Sequence, residues 1–330
     1  MRHGLVTNYF RLWGRIRSTK LDTFCQEHDR LYRDACRTGD YAAVTRAWYG
    51  SMAPLINAAY GPSWHFVPPS RRGQKRDEVQ RRLHEHMAEV LELRPGKRVL
   101  DIGCGVGGAM RNIARRSRAT VEGIALGDDE IELNNRLSRD EGLAELCTAT
   151  RGDALDMPFA DEAFDAAYAI YALKYFNDPS DVLAEVARTL RPGGMFASYD
   201  LLRSDDFDER DPKHVALVGR FEYATAMPPL PTKARLREQA RRVGLELVSD
   251  GQFEGSLPWY QCFIENPVLP WLVRSRAMRR VVQTAEKAHL LPRGFARFDE
   301  TFISGNVSAI IEAGRSGLLD GASLMVWRKS

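Results

Sequence analysis

A glycine-rich turn that follows a short apolar run is the strongest chemical signal in the sequence. The run ends at Asp101, and the turn reads Ile102-Gly103-Cys104-Gly105-Val106-Gly107-Gly108. Glycine has no Cβ, so a turn of this kind between a strand and a helix lets the backbone approach a ligand closely. The spacing alone suits a dinucleotide as well as other nucleotide-bearing cofactors. The turn therefore predicts a cofactor site at residues 101–108.

The elements that must position this turn are short apolar runs that alternate with helical stretches from Lys97 onward. Strands are predicted at 98–102, 120–125, 164–169 and 195–200, and helices at 108–116, 129–141 and 179–190. Strands that alternate with helices predict a mostly parallel, doubly wound α/β sheet. Further helices precede this sheet, at 22–37 and 75–93, and a less regular region follows it.

The turn and three later motifs together resemble class I S-adenosylmethionine-dependent methyltransferases. Those enzymes place an acid before the glycine loop, here Asp101, and the later motifs are Arg151-Gly152-Asp153-Ala154, Phe164-Asp165 and Arg191-Pro192-Gly193-Gly194. The resemblance implies a Rossmann-like sheet that binds S-adenosylmethionine and releases S-adenosylhomocysteine. The residues that it implies for the cofactor are Asp101, Gly103, Gly105, Gly107, Asp128, Asp153, Ala154 and Tyr168.

The second strand departs from that pattern. It is expected to end with an acid that binds the ribose hydroxyls, whereas this chain continues as Gly123-Ile124-Ala125-Leu126-Gly127 before Asp128. Asp128 either takes the ribose role from a displaced position or caps the next helix, since aspartate is a favoured N-cap residue. Both interpretations stay open at this point.

A more specific resemblance, to the sterol methyltransferase family, extends collinearly from about Tyr41 to the C-terminus. The segments that carry it are 59–66, His84-Glu85-His86, 100–108, 168–172, Leu257-Pro258-Trp259-Tyr260 and 324–329. The family's organisation implies an N-terminal helical region at 1–90, a methyltransferase core at 91–205, and an α+β cap at 206–330.

The family's chemistry implies that an alkene attacks the sulfonium methyl group and leaves a carbocation. Aromatic faces stabilise such a cation, and a base then removes a proton. The substrate-binding candidates are the aromatic residues Tyr60, Trp64, Phe66, Tyr175 and Tyr223. The catalytic candidates are Glu222, His86, Tyr171 and Glu85, with His86 expected on the apolar stripe of its helix beside Val79, Leu83 and Val90.

Two departures concern the methyl acceptor. The family has glutamates where this chain has Ala59 and Tyr171, and its following histidine is missing from Leu173-Lys174-Tyr175-Phe176. The resemblance implies C-methylation of a sterol or related isoprenoid alkene but leaves the methylated carbon open. The alternatives are methylation of a prenyl diphosphate, or of oxygen or nitrogen in another metabolite with His65, His84 or His86 as base. A non-catalytic sterol-binding protein is the alternative from another class.

Composition limits the remaining function classes. The chain has 330 residues and a net charge of +3 at pH 7, which is too balanced to predict a nucleic-acid partner. Its five cysteines form no C-x-x-C pair, and His84-Glu85-His86 lacks the spacing of a helical zinc site, so no metal is expected. A reduced, cytoplasmic setting is expected. Residues 1–20 predict a basic amphipathic helix, which leaves peripheral membrane contact open, as it does a homo-oligomer.

Overall fold

The computed structural model describes residues 21–60, 65–264 and 276–330. Within them, seven strands form one sheet with the order β3-β2-β1-β4-β5-β7-β6. The strands are β1 (Arg98–Ile102), β2 (Thr120–Ala125), β3 (Cys147–Arg151), β4 (Phe164–Ile170), β5 (Leu190–Arg203), β6 (Leu245–Gln252) and β7 (Leu319–Lys329). Strands β1 to β5 pair in parallel, and β6 pairs with β7 in antiparallel register.

The predicted doubly wound α/β sheet is confirmed, and its buried strands explain why the sequence revealed it. Parallel sheets are covered on both faces, so their strands are almost continuously apolar. Strand β4 follows this rule, with Phe164 and the run Ala166–Ala169 buried. Strand β3 was not predicted, because its residues alternate between buried and exposed and include two threonines and an arginine.

Eleven α-helices lie in the described residues. They are α1 (Leu21–Thr38), α2 (Ala42–Tyr60), α3 (Arg76–Val90), α4 (Gly108–Ser117), α5 (Asp128–Asp140), α6 (Ser180–Thr189), α7 (Pro212–Ala224), α8 (Lys233–Arg242), α9 (Arg276–Lys287), α10 (Phe295–Phe298) and α11 (Ser304–Arg315). Helix α2 and helices α7 to α11 were not predicted, whereas α1, α3, α4, α5 and α6 begin and end within a few residues of their predicted bounds.

The described residues divide into two compact units. The core unit contains residues 65–205, 231–259 and 320–330, and the helical unit contains 21–60, 206–230, 260–264 and 276–319. The three consecutive regions expected from the sequence stay a prediction about domains. Contacts group the chain differently, because segments from both ends and from the middle contribute to the helical unit.

Hydrogen bonds from side chains to backbone hold the helical unit together around the C-terminal end of α7. The Trp48 indole N–H donates to the Ala224 carbonyl at 2.8 Å, and the Thr45 hydroxyl donates to the Ala226 carbonyl at 2.9 Å. The last carbonyls of a helix have no partner within the helix, so these bonds satisfy acceptors that burial would otherwise leave unpaired.

Two expectations from the sequence fall outside this description. The predicted amphipathic helix of residues 1–20 and the side chains of Tyr60 and Trp64 lie outside the described residues. Among the helices that the structure describes, none combines the length and the apolar composition needed to cross a bilayer.

Leu183 tests how the core unit is stabilised. Its side chain lies in α6 with no exposed surface, within the cluster that packs on β4 and β5. We expect Leu183→Ala to lower the free energy of unfolding by about 2–5 kcal/mol, measured by urea denaturation, because it leaves a cavity.

Leu247→Ala is the matched control, since the Leu247 side chain is 43% exposed on β6. It should cost about 0.5 kcal/mol or less. Equal losses in the two variants would contradict this account of the core.

Candidate functional site

The order of the strands locates a crevice at one edge of the sheet. Strand order reverses between β1 and β4, because β2 and β3 lie to one side of β1 while β4 and β5 lie to the other. In sheets of this kind, ligands bind outside the carboxyl ends of the strands at the reversal point. Asp101 of β1 is directly opposite Tyr168 of β4 in the register, close to this point.

The glycine turn leaves β1 in backbone conformations that other residues rarely adopt. The φ angles of Gly103, Gly105 and Gly107 are 76°, 49° and 75°, all in the left-handed region. A Cβ added at Gly107 would come within 2.6 Å of three atoms of the Asn134 side chain. A Cβ added at Gly105 would meet no atom within 4 Å, so this glycine faces open space. This shape fits a ligand that approaches the backbone at Gly105.

Two side chains that the sequence did not reveal hold the turn in place. The Asn134 amide of α5 donates to the Gly105 carbonyl at 3.2 Å. The Arg111 guanidinium of α4 donates to the Val106 carbonyl at 2.8 Å, and its ion pair with Glu141 at 3.0 Å fixes it to the end of α5. An asparagine inside an amphipathic helix carries no distinctive spacing, so the sequence offered no signal for this role.

Asp101 is a buried carboxyl group with one polar neighbour. It is 3% exposed, and the Tyr168 hydroxyl donates to its Oδ2 at 2.8 Å. Burial raises the pKa of the Asp101 carboxyl to about 7, and the hydrogen bond from Tyr168 opposes part of that rise. Tyr168 is itself fully buried, and its hydroxyl contacts Asp101.

The ends of β2 and β3 carry the other acids predicted for the cofactor. Gly127 is the N-cap of α5 and Asp128 is its first helical residue, so the N-cap interpretation of Asp128 is wrong. The Asp128 carboxylate is exposed and lies 3.4 Å from the Arg151 guanidinium. Asp153 is exposed and accepts the Leu155 backbone N–H at 3.0 Å, while the neighbouring Ala154 is half-buried against the core. The ribose role of Asp128 stays a prediction.

The end of β4 places an aromatic ring and an amine where the sequence resemblance expects an acid. Tyr171 is 6% exposed with a φ of 57°, and its hydroxyl donates to the Gly321 carbonyl at 2.6 Å. The Lys174 amine donates to the Tyr171 carbonyl at 2.9 Å and lies 3.9 Å from the centroid of the Tyr171 ring. It is also 4.9 Å from the ring of Tyr175, which is half-buried.

Lys174 and Asp200 are two buried groups of opposite charge that the sequence did not reveal, and each influences the pKa of the other. Lys174 is 4% exposed and Asp200 is fully buried in β5. The Asp200 carboxylate accepts the backbone N–H of Leu201 at 2.8 Å and that of Lys174 at 3.3 Å. Burial lowers the pKa of the Lys174 amine and raises that of Asp200, and each charge opposes the shift of the other. The signal in the sequence was a lysine within an apolar stretch that follows a buried strand.

The expected orientation of helix α3 is wrong. His84, rather than His86, lies on the buried face, with 1% of its surface exposed. The His86 side chain is 39% exposed and lies 3.7 Å from the Glu89 carboxylate, and Glu85 is half-buried. The apolar stripe chosen from the sequence is rotated from the observed one, on which Leu83, His84 and Met87 are buried. Catalytic roles for His86 and Glu85 stay predictions.

His84 belongs to a directional chain of hydrogen bonds. Arg115 donates to the Asn112 side-chain oxygen at 3.2 Å, which turns the Asn112 amide toward Nδ1 of His84 at 3.0 Å. Burial lowers the pKa of His84 to about 3, so the ring is neutral. With Nδ1 as acceptor, its proton is on Nε2 and is donated to Nε2 of His65 at 3.0 Å. The chain holds the backbone at His65 in place.

Phe66, which follows His65, is the predicted substrate-binding residue that packs against the end of β4. Its ring meets the Tyr171 ring edge to face, with 5.7 Å between centroids. Its carbonyl accepts the Tyr199 hydroxyl at 2.6 Å. Phe66, Tyr171 and Tyr175 are therefore brought together in the core unit.

Glu222 and Tyr223 lie in α7 of the helical unit, apart from that group along the chain. Glu222 is 3% exposed and accepts the Leu230 backbone N–H at 2.8 Å. The Tyr223 hydroxyl donates to Asp29, which also pairs with Arg297. Glu222 thus holds the turn that follows α7, and Tyr223 joins α7 to α1 within the helical unit. The roles predicted for these two residues stay predictions.

Comparisons with known proteins agree with this geometry. A methyltransferase-domain family matches residues 100–198, which contain the glycine turn and strands β2 to β4. The chain is 37% identical, over 100% of its length and 99% of the relative's, to sterol 4-C-methyltransferase of Caenorhabditis elegans. The chain belongs to the sterol methyltransferase family. It is therefore an S-adenosylmethionine-dependent methyltransferase, and the resemblance stated from the sequence is confirmed.

Two further similarities bear on this sterol methyltransferase. The chain is 30% identical to 24-methylenesterol C-methyltransferase 2 of Arabidopsis thaliana, over 86% of its own length and 77% of that relative's. Among solved structures, a geranyl diphosphate methyltransferase with geranyl diphosphate and sinefungin aligns with a TM-score of 0.64 and 17% identity, over 88% of this chain and 98% of that one. At this identity the structural match shows the fold alone.

Gly105 tests the open side of the turn. We expect Gly105→Ala to weaken the binding of S-adenosylmethionine at least about tenfold, measured by titration calorimetry. The added methyl group would occupy the open space that the cofactor needs. The left-handed backbone at an alanine would also lower the free energy of unfolding by about 1–2 kcal/mol.

Gly142→Ala is the matched control. Gly142 also has a positive φ, 69°, with no atom within 4 Å of an added Cβ, but it lies in the loop after α5. It should cost similar stability and leave the affinity for S-adenosylmethionine unchanged. An unchanged affinity in Gly105→Ala would contradict a cofactor at this turn.

We expect Asp101 and Tyr168 to make the enzyme's affinity for the cofactor depend on pH. We expect the Asp101 carboxylate to meet the cationic amine of S-adenosylmethionine, so affinity should fall as pH drops through about 7, the pKa set by burial. Tyr168→Phe removes a hydrogen bond that favours the carboxylate, which raises this pKa further. The midpoint of the affinity-against-pH curve should therefore move to higher pH.

Tyr199→Phe is the control for this shift. It removes an equally buried hydroxyl, which donates to the Phe66 carbonyl and does not contact Asp101. Its midpoint should match that of the wild type. A curve without a midpoint between pH about 6 and 9, or one that Tyr168→Phe leaves in place, would argue against Asp101.

Proposed function

We propose that this enzyme methylates a ring carbon of a sterol, at position 4, with S-adenosylmethionine as the methyl donor. The observation that carries the proposal is the match to a sterol 4-C-methyltransferase, which extends over the full length of both chains at 37% identity. The relative named for a 24-methylenesterol is 30% identical and covers less of the chain. The proposal thus rests on substrate regions as well as on the cofactor core.

The end of β4 supports a carbon other than 24. The pattern of the sterol methyltransferase family has a glutamate at the position of Tyr171. The structure has there an aromatic ring stacked against the Lys174 amine, with Phe66 packed on its edge. A positive charge that develops on the side chain of a sterol would find an amine at this position instead of a carboxylate.

The core unit holds the groups that suit the donor. When bound, S-adenosylmethionine supplies an electrophilic methyl group on its sulfonium sulfur. Gly103, Gly105 and Gly107 would let the backbone approach it, Asp101 would pair with its amine, and Asp153 with Ala154 would lie at the adenine. The left-handed turn, the open side of Gly105 and the buried Asp101 carboxyl support this placement.

The substrate-facing residues are proposed on narrower grounds. Phe66, Tyr171 and Tyr175 are supported by their proximity at the end of β4, and they would provide an apolar wall. Glu222 and Tyr223 rest on the family resemblance, as do Tyr60 and Trp64. Contact of residues 1–20 with a membrane surface and self-association likewise stay predictions.

Two sterols that differ in which carbon can react would test the function. The first has no methyl group on carbon 4 and a saturated side chain, supplied as its 3-hydroxy and its 3-keto form. The second has two methyl groups on carbon 4 and a double bond at carbon 24. We expect label from S-adenosylmethionine to enter the first sterol and not the second, with carbon 4 located by mass spectrometry.

A prenyl diphosphate serves as the third acceptor in that assay. Label in the second sterol would overturn position 4 and retain a sterol substrate. Label in the prenyl diphosphate alone would overturn the sterol proposal. Cofactor binding without label in any acceptor would favour a sterol-binding protein.

A further inference from the structure

The crevice edge of the core unit contains a buried amine that the proposed function has not yet used. Lys174 follows β4 directly, on the same edge as Asp101 and one strand away from it. Its amine lies against the rings of Tyr171 and Tyr175, and the buried Asp200 carboxylate acts on it electrostatically. An amine that is hidden from water is costly to keep charged, which favours a role for its neutral form.

The charge at this edge is unsuited to a carbocation. Aromatic rings stabilise a cation, but the Tyr171 ring already holds the Lys174 amine against its face, 3.9 Å from the centroid. The other titratable groups around Lys174 are Asp200, which carries the opposite charge in the pair, and His65, which burial keeps neutral. An amine here can accept a proton from a substrate, and its protonated form then favours a negative charge on that substrate.

The chemistry of carbon 4 requires such a negative charge. Carbon 4 of a 3-hydroxysterol without a neighbouring double bond has no electron pair to offer to a methyl group. It becomes nucleophilic when carbon 3 is a ketone and a proton leaves carbon 4, because the electron pair is then shared with the oxygen as an enolate. A base near a neutral pKa is the group that such a step needs.

We propose that Lys174 is the catalytic base of this reaction, which removes a proton from carbon 4 of a 3-ketosterol so that an enolate accepts the methyl group. The inference rests on the proposed function. It replaces the isolated alkene and the carbocation expected from the sequence resemblance with an anionic acceptor of the same sterol class.

The step balances without any further reactant. The C–H bond at carbon 4 breaks, its proton goes to the Lys174 amine, and its electron pair forms the enolate. Carbon 4 then bonds to the methyl carbon while the methyl–sulfur bond breaks and its electron pair stays on sulfur. The products are a 4-methyl-3-ketosterol, S-adenosylhomocysteine and one proton. A hydride-transferring oxidation of a 3-hydroxysterol must therefore supply the substrate.

Burial of the pair agrees with this assignment. It lowers the pKa of the Lys174 amine toward neutrality, so that a neutral amine is present when substrate arrives. The Asp200 carboxylate, held by two backbone N–H groups, limits this shift and keeps the amine able to retain the proton. Asp200 thus acts on the substrate through Lys174 and is a positioning residue.

Hydrogen exchange tests the base without methyl transfer. The full-length enzyme, with S-adenosylhomocysteine in place of the donor, is incubated in deuterium oxide with a 3-ketosterol that has no methyl group at carbon 4. We expect deuterium to enter carbon 4 faster than in the enzyme-free solution, as located by NMR. Lys174→Met should slow this exchange at least about 100-fold, because it removes the base.

Two measurements separate loss of the base from loss of structure. Affinity for S-adenosylhomocysteine should change less than about twofold in Lys174→Met, since Lys174 contacts Tyr171, Tyr175 and Asp200, and none of these is proposed to bind the cofactor. Lys213→Met removes an exposed lysine of α7 in the helical unit and should leave the exchange rate unchanged. Lys174→Arg, which keeps a positive charge but is too weak a base, should also lose exchange.

The outcomes distinguish this inference from the function on which it rests. Methylation of carbon 4 in the 3-hydroxysterol, without exchange in the 3-ketosterol, would overturn the enolate and retain the sterol function. Exchange that persists in Lys174→Met or Lys174→Arg would overturn Lys174 as the base. An enzyme that methylates neither form of the sterol would overturn the function itself and the inference with it.

Discussion

A doubly wound parallel sheet must reverse the direction of its winding, and the rest of this site depends on where that reversal falls. Here it lies between β1 and β4, so the connections that leave these neighbouring strands diverge and open a crevice at their carboxyl ends. The chain must leave β1 without filling that crevice. Three left-handed glycines achieve this, and the absence of side chains at Gly103 and Gly107 also lets Ala172 and Asn134 pack directly against the turn.

Two carboxyl groups and an amine are buried at the crevice edge, those of Asp101, Asp200 and Lys174. An ionised group that loses water without a partner is strongly destabilised, so each buried charge here has one. Asp101 accepts the Tyr168 hydroxyl, and Asp200 accepts two backbone N–H groups beside Lys174. Groups whose pKa values are shifted by burial in a cleft are concentrated at functional sites. The proposed functions thus fall on the two sides of the reversal point, with a carboxyl at β1 for the cofactor and an amine after β4 for the acceptor.

Particular residues show how far the sequence alone could predict this arrangement. The apolar strands and the glycine turn were predictable because each has a periodicity or spacing that few other structures share. His84 was misplaced because Leu83 belongs to both candidate stripes of α3, and the stripes differ by less than the roughly 100° between successive residues. Asp128 was ambiguous because aspartate suits both roles, and the choice depended on the backbone of Gly127. Lys174 was passed over because a lysine is normally exposed, and its burial depends on how the neighbouring rings pack and on Asp200, which is 26 residues away in sequence.

The separation of the cofactor residues at β1 from the residues after β4 explains how a family can retain its cofactor and change its methyl acceptor. The turn after β1 is constrained by backbone angles, since Gly107 cannot gain a side chain while Asn134 lies where its Cβ would be. In the proposed mechanism, the residues after β4 are constrained by the charge that develops on the substrate. A tyrosine in place of the family's glutamate at position 171 removes a negative charge that would stabilise a cation. The neighbouring Lys174 amine favours a negative charge on the substrate instead. Electrostatic stabilisation in a water-excluded site acts on the charge of the transition state. Two residues at the end of one strand can therefore select a different kind of carbon nucleophile. The methyl donor and the strand that binds it stay the same.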